Sequence, residues 1–402
     1  MPNNIVICCD GTGNEFTDQN SNVVKLYSTL LINKNQRGYY LPGVGTMGDP
    51  SARTWIGKKW SVLMGLAFGS GILRNIGDAY RYLMNTYQEG DRVFLFGFSR
   101  GAYTVRALAG VLHMYGLLSP GNEGLIPYVT QMFAKASREN KGRKGTLAVS
   151  EQFKRTLSRE CPLHFVGVWD TVSSIGWIYD PIVLPFTGQN PIIKIGRQAL
   201  AIDEKRCMYE DRLWGERLTG QDIKQVWFPG VHSDVGGSYP EDESQLSKGS
   251  LEWMLGEAYE AGLLIDVERA KMVLGEKRPP LKWMPRYVAP DAKTSYLHNS
   301  LKGLWWLLEF LPHHNYDRSL GRCGWSLPCG HRRFIPKGSL LHASVQERRS
   351  ASLGYDPSNL PATYGVDYTI PLPEPPPRPS RKKPASVLVP DETGQSLAWQ
   401  LR

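Results

Sequence analysis

Ser99, Asp170 and His232 are the residues whose types and surroundings point to chemistry. Ser99 lies in Gly97-Phe98-Ser99-Arg100-Gly101, which fits the pattern G-x-S-x-G. The apolar run Val93 to Phe96 precedes it, and a helical pattern from Ala102 to Leu112 follows. A serine held in a strained turn between strand and helix needs small neighbours, which explains Gly97 and Gly101. Such a turn exposes the hydroxyl at a helix N-terminus, where backbone N–H groups favour negative charge. A serine hydroxyl becomes a useful nucleophile when a histidine takes its proton and a carboxylate orients that histidine. Asp170 directly follows the apolar run Leu163 to Trp169, and His232 follows "QVWFPGV" inside "GVHSDVGG". Serine, acid and histidine therefore come in that chain order, each past a strand end, as acyl transfer on a parallel sheet requires.

Bland readings stand beside these. Ser99 can be a turn residue, Asp170 a helix cap, and His232 a structural histidine. His342 in "LLHASV" is a rival base, and Asp234 an alternative acid, although it stands only two residues from His232. For an oxyanion the sequence offers the backbone N–H of Arg100 and one from the turn after the first strand, Gly11 or Thr12. A metal-dependent phosphohydrolase using Asp10, His232 and Asp234, or a non-catalytic interaction protein, are the competing classes. The serine turn speaks against the first and the intact Ser, Asp and His against the second. No cofactor is expected. Cys323, Cys329 and His331 do not match a common zinc spacing.

The positioning elements follow from apolar patterning. Strands are predicted at Asn4 to Cys9, Arg92 to Gly97, Leu163 to Trp169 and Gln225 to Phe228. Helices are predicted at Val23 to Ile32, around Ile72 to Tyr87, at Ala102 to Leu112 and at Ser250 to Ala261. This alternation argues for an α/β fold, with a mostly parallel central sheet and helices on both faces. A catalytic domain is expected over 1–350, with inserted lid or cap segments near 116–160, 177–220 and 279–340. A Pro-rich basic tail is expected over 351–402. Within "GLWWLLEFL", Leu304, Trp305, Leu308 and Leu311 fall on one helical face, with Trp306 and Phe310 beside it. Trp305, Trp306 and Phe310 are lipid-contact candidates, and a core or lid helix is the alternative.

The chain has 402 residues, 41% of them apolar, and a net charge of +9. That balance favours anionic surfaces such as acidic lipid headgroups. Neither a basic recognition helix nor zinc-finger spacing is present, so nucleic acid is not an expected partner. "MPNNIVICCDGTGN" lacks the basic region and apolar length of a signal peptide, and no run of eighteen apolar residues predicts a membrane span. Synthesis in the cytoplasm is expected.

"CDGTGN", "LPGVGT", "FLFGFSRGAYTVRALAG", "VGVWDTV" and "FPGVHSDVGGSY" occur together and in this order. They resemble the bacterial alpha/beta-hydrolase family that includes the first family of type VI secretion lipase effectors. The resemblance spans roughly residues 4 to 240. It implies an alpha/beta-hydrolase fold and a serine hydrolase of phospholipase A type, acting on lipid esters. By motif it implies Ser99 as nucleophile, Asp170 as acid and His232 as base. It also implies export without a signal peptide, and an immunity or carrier protein as partner. The sequence looks short beside those effectors and shows no large C-terminal membrane-anchoring domain. A carboxylesterase acting on small soluble or polymeric esters is the alternative.

Overall fold

Strand β1 (Asn4–Cys9) is buried at all six residues. Ile5, Ile7 and Cys9 enter one core, and Val6 and Cys8 the other. A strand covered on both faces has no polar side, hence its near-continuous apolar run. The computed structural model describes residues 2–11, 19–43, 66–138, 143–172, 176–177, 180–181, 184–280, 285–317, 322–351 and 354–374.

The sheet has seven more strands: β2 (Gln36–Leu41), β3 (Arg92–Phe98), β4 (Leu163–Trp169), β5 (Ile193–Ala201), β6 (Asp222–Phe228), β7 (Leu340–His342) and β8 (Gly365–Asp367). Their order is β2-β1-β3-β4-β5-β6-β7-β8, and every neighbouring pair is parallel. Helices α1 (Asn22–Ser28), α2 (Leu66–Thr86) and α3 (Arg100–Tyr115) follow β1, β2 and β3. The core with Ile5 takes in residues of α2 and α3, while the core with Val6 takes in α1 and the later helix Gln245–Glu260. The chain leaves β1 towards β2 on one side and β3 on the other. That reversal opens a crevice beyond the carboxyl ends of β1 and β3, the usual ligand site of such sheets. Ser99 lies at its edge.

Several expectations change. The stretch 177–220 is no simple insertion, because β5 runs through it at the middle of the sheet. Its sequence, IKIGRQALA, hides the strand because Arg197 is buried there and paired with Glu257 and Asp222. The stretch 116–160 is helical, with Ile126–Arg138 and Arg143–Leu157 closed off by the strand pair Leu117–Leu118 and Ser158–Arg159. The boundary at 350 also moves. β8 lies in the sheet, Trp253 Nε1 donates to Asp367 Oδ2 at 2.8 Å, and one compact unit runs from Met1 to Leu372. The second unit, Pro373–Arg402, lies almost entirely outside the described residues. No helix of the described residues is long and apolar enough to cross a membrane.

A chain ending at Glu374 is expected to melt within a few degrees of the full chain. A chain ending at Ser350 loses β8 and the Asp367 bond, and is expected to melt markedly lower or fail to fold. Equal melting temperatures for the two truncations, followed by circular dichroism, would place the boundary back at 350.

Candidate active site

The turn after β3 is set by crowding. A Cβ on Gly101 would lie 2.1 Å from the Cys9 carbonyl oxygen, and one on Gly97 would lie 2.6 Å from the Gly101 carbonyl oxygen. No real Cβ tolerates either approach, so the first turn of α3 packs directly on the end of β1. Ser99 takes φ 57° and ψ −121°, a costly conformation for a residue with a side chain. Its backbone is fixed on both sides: the N–H donates to the Trp169 carbonyl at 3.1 Å, and its carbonyl accepts from the Tyr103 N–H at 3.2 Å. The first of these bonds ties Ser99 to the end of β4, one residue before Asp170.

Asp170 also has positive φ, 38°, and is fully buried. Its Oδ2 lies 2.5 Å from His232 Nδ1. Arg333 reaches the same carboxylate from 163 residues away, with Nη1 donating to Oδ1 at 2.5 Å and Nη2 to Oδ2 at 3.0 Å. The Ala201 N–H donates to Oδ1 at 3.0 Å. Burial opposes ionisation here, but the Arg333 charge and then the His232 hydrogen bond outweigh it and hold the carboxyl well below its usual range. Arg333 also donates to the carbonyls of Ala201 and Tyr209.

His232 opens a short helix, His232–Gly236, past the end of β6. Burial pulls its pKa below 6.5, against the pull of Asp170. The ring lies 4.6 Å from the Phe98 ring and 4.8 Å from the Tyr209 ring, centroid to centroid. Phe98 immediately precedes Ser99, so the His232 ring packs against the residue next to the serine. The His232 N–H donates to Glu204 Oε2 at 3.2 Å. Burial disfavours the Glu204 carboxylate, but the Arg206 hydrogen bonds and charge bring its pKa down to about 2. With Nδ1 facing Asp170, Nε2 is the ring atom left to exchange protons.

The other sequence candidates fall elsewhere. His342 caps the helix Ala343–Ser350; its Nδ1 meets the Ser344 hydroxyl at 2.8 Å and its Nε2 the Thr369 hydroxyl at 3.0 Å. Burial lowers its pKa to about 4. Asp234 binds His298 rather than His232. Asp10 accepts from the Ser21 and Tyr40 hydroxyls at 2.8 and 2.9 Å. Asp10, His232 and Asp234 thus have three separate partners, which does not suit the metal-ligand reading. Arg100 is the first residue of α3, directly after Ser99. The Gly11 N–H already donates to Asp10 Oδ1 at 2.6 Å, so Gly11 is no ready donor; Thr12 lies outside the described residues.

The helical face expected within 303–311 is carried by a helix of only five residues, Trp305–Glu309. Buried Glu309 ties it down by accepting the N–H groups of Cys207 and Gly330 at 2.8 and 3.0 Å. Trp305 turns inward, edge-on to Tyr209 with ring centroids 5.6 Å apart and with the Arg206 guanidinium over its face. It therefore does not share an outward face with Leu304. Trp306 and Phe310 stack with centroids 6.1 Å apart and are 42% and 60% exposed. Arg333 and Glu204 escape sequence reading. Neither stands in a motif, and each is recognisable only through residues distant in the chain.

Removing one partner of a buried ion pair costs about 3–5 kcal/mol. Arg333→Met is expected to lower stability by that order at pH 7 in denaturant unfolding. The depressed Asp170 pKa contributes stability above its ordinary value of 3.8, lost as pH falls through the folded value. The gap between wild type and variant therefore narrows in acid. Equal unfolding midpoints at pH 7 would contradict the role given to Arg333.

Several known proteins are similar to this chain. Uncharacterized protein YEL023C of Saccharomyces cerevisiae is 36% identical over 220 residues, 52% of this chain and 32% of that one. An uncharacterized protein from Pseudomonas aeruginosa has a solved structure matching at a TM-score of 0.37 and 18% identity, over 66% of this chain and 46% of that one. A structure described as the Tle1 effector bound to the VgrG spike of the type 6 secretion system matches at 0.34 and 19%, over 61% of this chain and 52% of that one. The chain thus spans about a third of the yeast protein and about half of each solved chain. Residues 3–257 match the family model described as the catalytic domain of Tle1-like type VI secretion phospholipase effectors, and the chain belongs to that family.

Proposed function

We propose that this protein is a serine hydrolase cleaving carboxylic esters of lipids, of phospholipase A type. The observation that carries the reading is the 2.5 Å Asp170–His232 bond beside a serine held at positive φ. Family membership supports lipid as the substrate class.

In this reading His232 Nε2 removes the Ser99 proton as Oγ attacks the ester carbonyl. Asp170 stabilises the imidazolium that forms and keeps Nδ1 as the donor. The Arg100 N–H, at the start of α3, receives the developing oxyanion. Collapse expels the lyso-lipid alkoxide, which takes the proton from His232 and leaves an acyl-Ser99 ester. Water, deprotonated by the same imidazole, then releases the fatty acid and restores Ser99. Asp170 serves best as a permanent anion, and Arg333 holds it so.

Trp306 and Phe310, with Leu304 at 81% exposure, supply an apolar outer surface close to the site. They are the side chains proposed to meet the lipid, together with the basic net charge that draws the protein to anionic membranes. Trp305 instead packs inward and shapes the wall beside His232. Export, with a carrier or immunity protein as partner, is proposed for the whole protein on family membership.

Products from a panel of diacyl phospholipids, lysophospholipids, triglycerides and short soluble esters test the reading. Fatty acid and lyso-lipid are expected from phospholipid, with turnover lowered at least 10³-fold in Ser99→Ala and its melting temperature retained. Turnover of soluble esters alone would favour the carboxylesterase reading. Turnover of phospholipid undiminished in Ser99→Ala would exclude Ser99 as nucleophile.

A further inference from the structure

A second histidine–aspartate pair lies beside the first and has no place in the chemistry above. His298 Nδ1 meets Asp234 Oδ1 at 2.6 Å, and its Nε2 meets Glu243 Oε2 at 3.0 Å. Its ring stacks on Tyr239 at 3.6 Å, with Tyr296 edge-on at 4.8 Å. The Asp234 side chain is buried, and its Oδ2 accepts the N–H of Val231, the residue before His232, at 3.0 Å. Asp234 Oδ2 also accepts the His298 N–H at 3.3 Å.

His298 belongs to a strap, 285–301, without helix or strand. Val288 N–H donates to Glu241, Arg348 donates to the carbonyls of Ala292 and Ser295, and the Ser300 hydroxyl donates to Glu204 at 2.8 Å. Glu204 is the carboxylate that accepts the His232 N–H. The strap therefore grips the His232 turn at two points, through Asp234 and through Glu204. Only the first runs through a histidine.

We propose that His298, as an imidazolium bridging Asp234 and Glu243, is a positioning residue that fastens the strap to the turn carrying His232. This rests on the reading of His232 as the base. Both ring nitrogens face carboxylate oxygens, and only the doubly protonated ring donates to both. Loss of one proton sets a ring lone pair against a carboxylate and releases one end of the bridge.

The groups facing His298 are Asp234 on the His232 helix, Glu243 on the turn Glu241–Glu243, Tyr239 between them and Tyr296 on the strap. Arg206 and Glu204 lie beyond Tyr239. Burial works against the charged ring, but Asp234 and then Glu243 prevail and raise its pKa above 6.5. Burial pushes the Asp234 carboxyl up from 3.8. A histidine with a raised folded pKa adds stability below 6.5, which is lost as pH rises through the folded value. His232 shifts in the opposite sense, and its neutral form is the base. Activity is thus expected to rise through the lowered pKa of His232 and to fall through the raised pKa of His298.

Hydrolysis of p-nitrophenyl butyrate by the full chain between pH 4.5 and 9.5 reads both limbs, with Ser99→Ala as the blank. The wild type is expected to give a bell-shaped kcat/KM profile. His298→Gln is expected to lower kcat about 10- to 100-fold with KM little changed, and to abolish the alkaline limb. Glu243 is half exposed, so Glu243→Gln disturbs packing little; it is expected to move the alkaline limb to lower pH. A purely structural His298 would lower the melting temperature and leave the limbs in place. An alkaline limb unmoved by Glu243→Gln, or a wild-type profile in His298→Gln, overturns the proposal while leaving Ser99 and His232 in their roles. Absence of Ser99-dependent turnover of both p-nitrophenyl butyrate and the phospholipid panel overturns both; where phospholipid alone is turned over, the same pH profiles are read on it.

Discussion

The structure depends on keeping one carboxylate ionised out of reach of water. Asp170 is fully buried, and an isolated charge there would cost several kcal/mol. His232, Arg333 and the Ala201 N–H share the task of satisfying it. These partners come from the ends of β6 and β5 and from a loop 163 residues beyond the aspartate. Much of the C-terminal half is therefore committed to this point. Arg333 binds the carbonyls of Ala201 and Tyr209, Tyr209 packs on His232, and Trp305 packs on Tyr209. The charge that holds the His232 ring and Arg333 thus also specifies how the covering segments close.

The second constraint is steric. Parallel strands β1, β3, β4, β5 and β6 deliver their carboxyl ends to one edge. Only a very tight turn keeps Ser99 at that edge, because α3 must start against the Cys9 carbonyl. Positive φ at both Ser99 and Asp170 stores strain of about 1–3 kcal/mol each, sustained by the surrounding sheet. The strain sits at the two places where side chains must point out of the sheet rather than along it.

That Ser99, Asp170 and His232 stand past strand ends was legible because each follows an apolar run, and the run, the strand and the strand end are local features. The fold class was legible from the same runs. β5 was not, since its polar positions are satisfied by Glu257 and Asp222 and break the apolar pattern. β8 was obscured because it has three residues and lies in a Pro-rich region that reads as tail. Arg333, Glu204 and His298 act through partners far away in sequence, so no spacing announces them. The helical face read within 303–311 was misassigned: Trp306 and Phe310 are exposed, while Glu309, a polar residue, makes the inward anchor.

The central claim is that Ser99 is a nucleophile activated by His232. Mass spectrometry after treatment with a fluorophosphonate tests it most directly, because the covalent adduct forms without knowledge of the natural substrate. The account predicts one adduct per chain, mapped to the peptide containing Ser99, and little or none in folded His232→Ala. An unmodified Ser99 in folded wild-type protein, or equal labelling in His232→Ala, would contradict it.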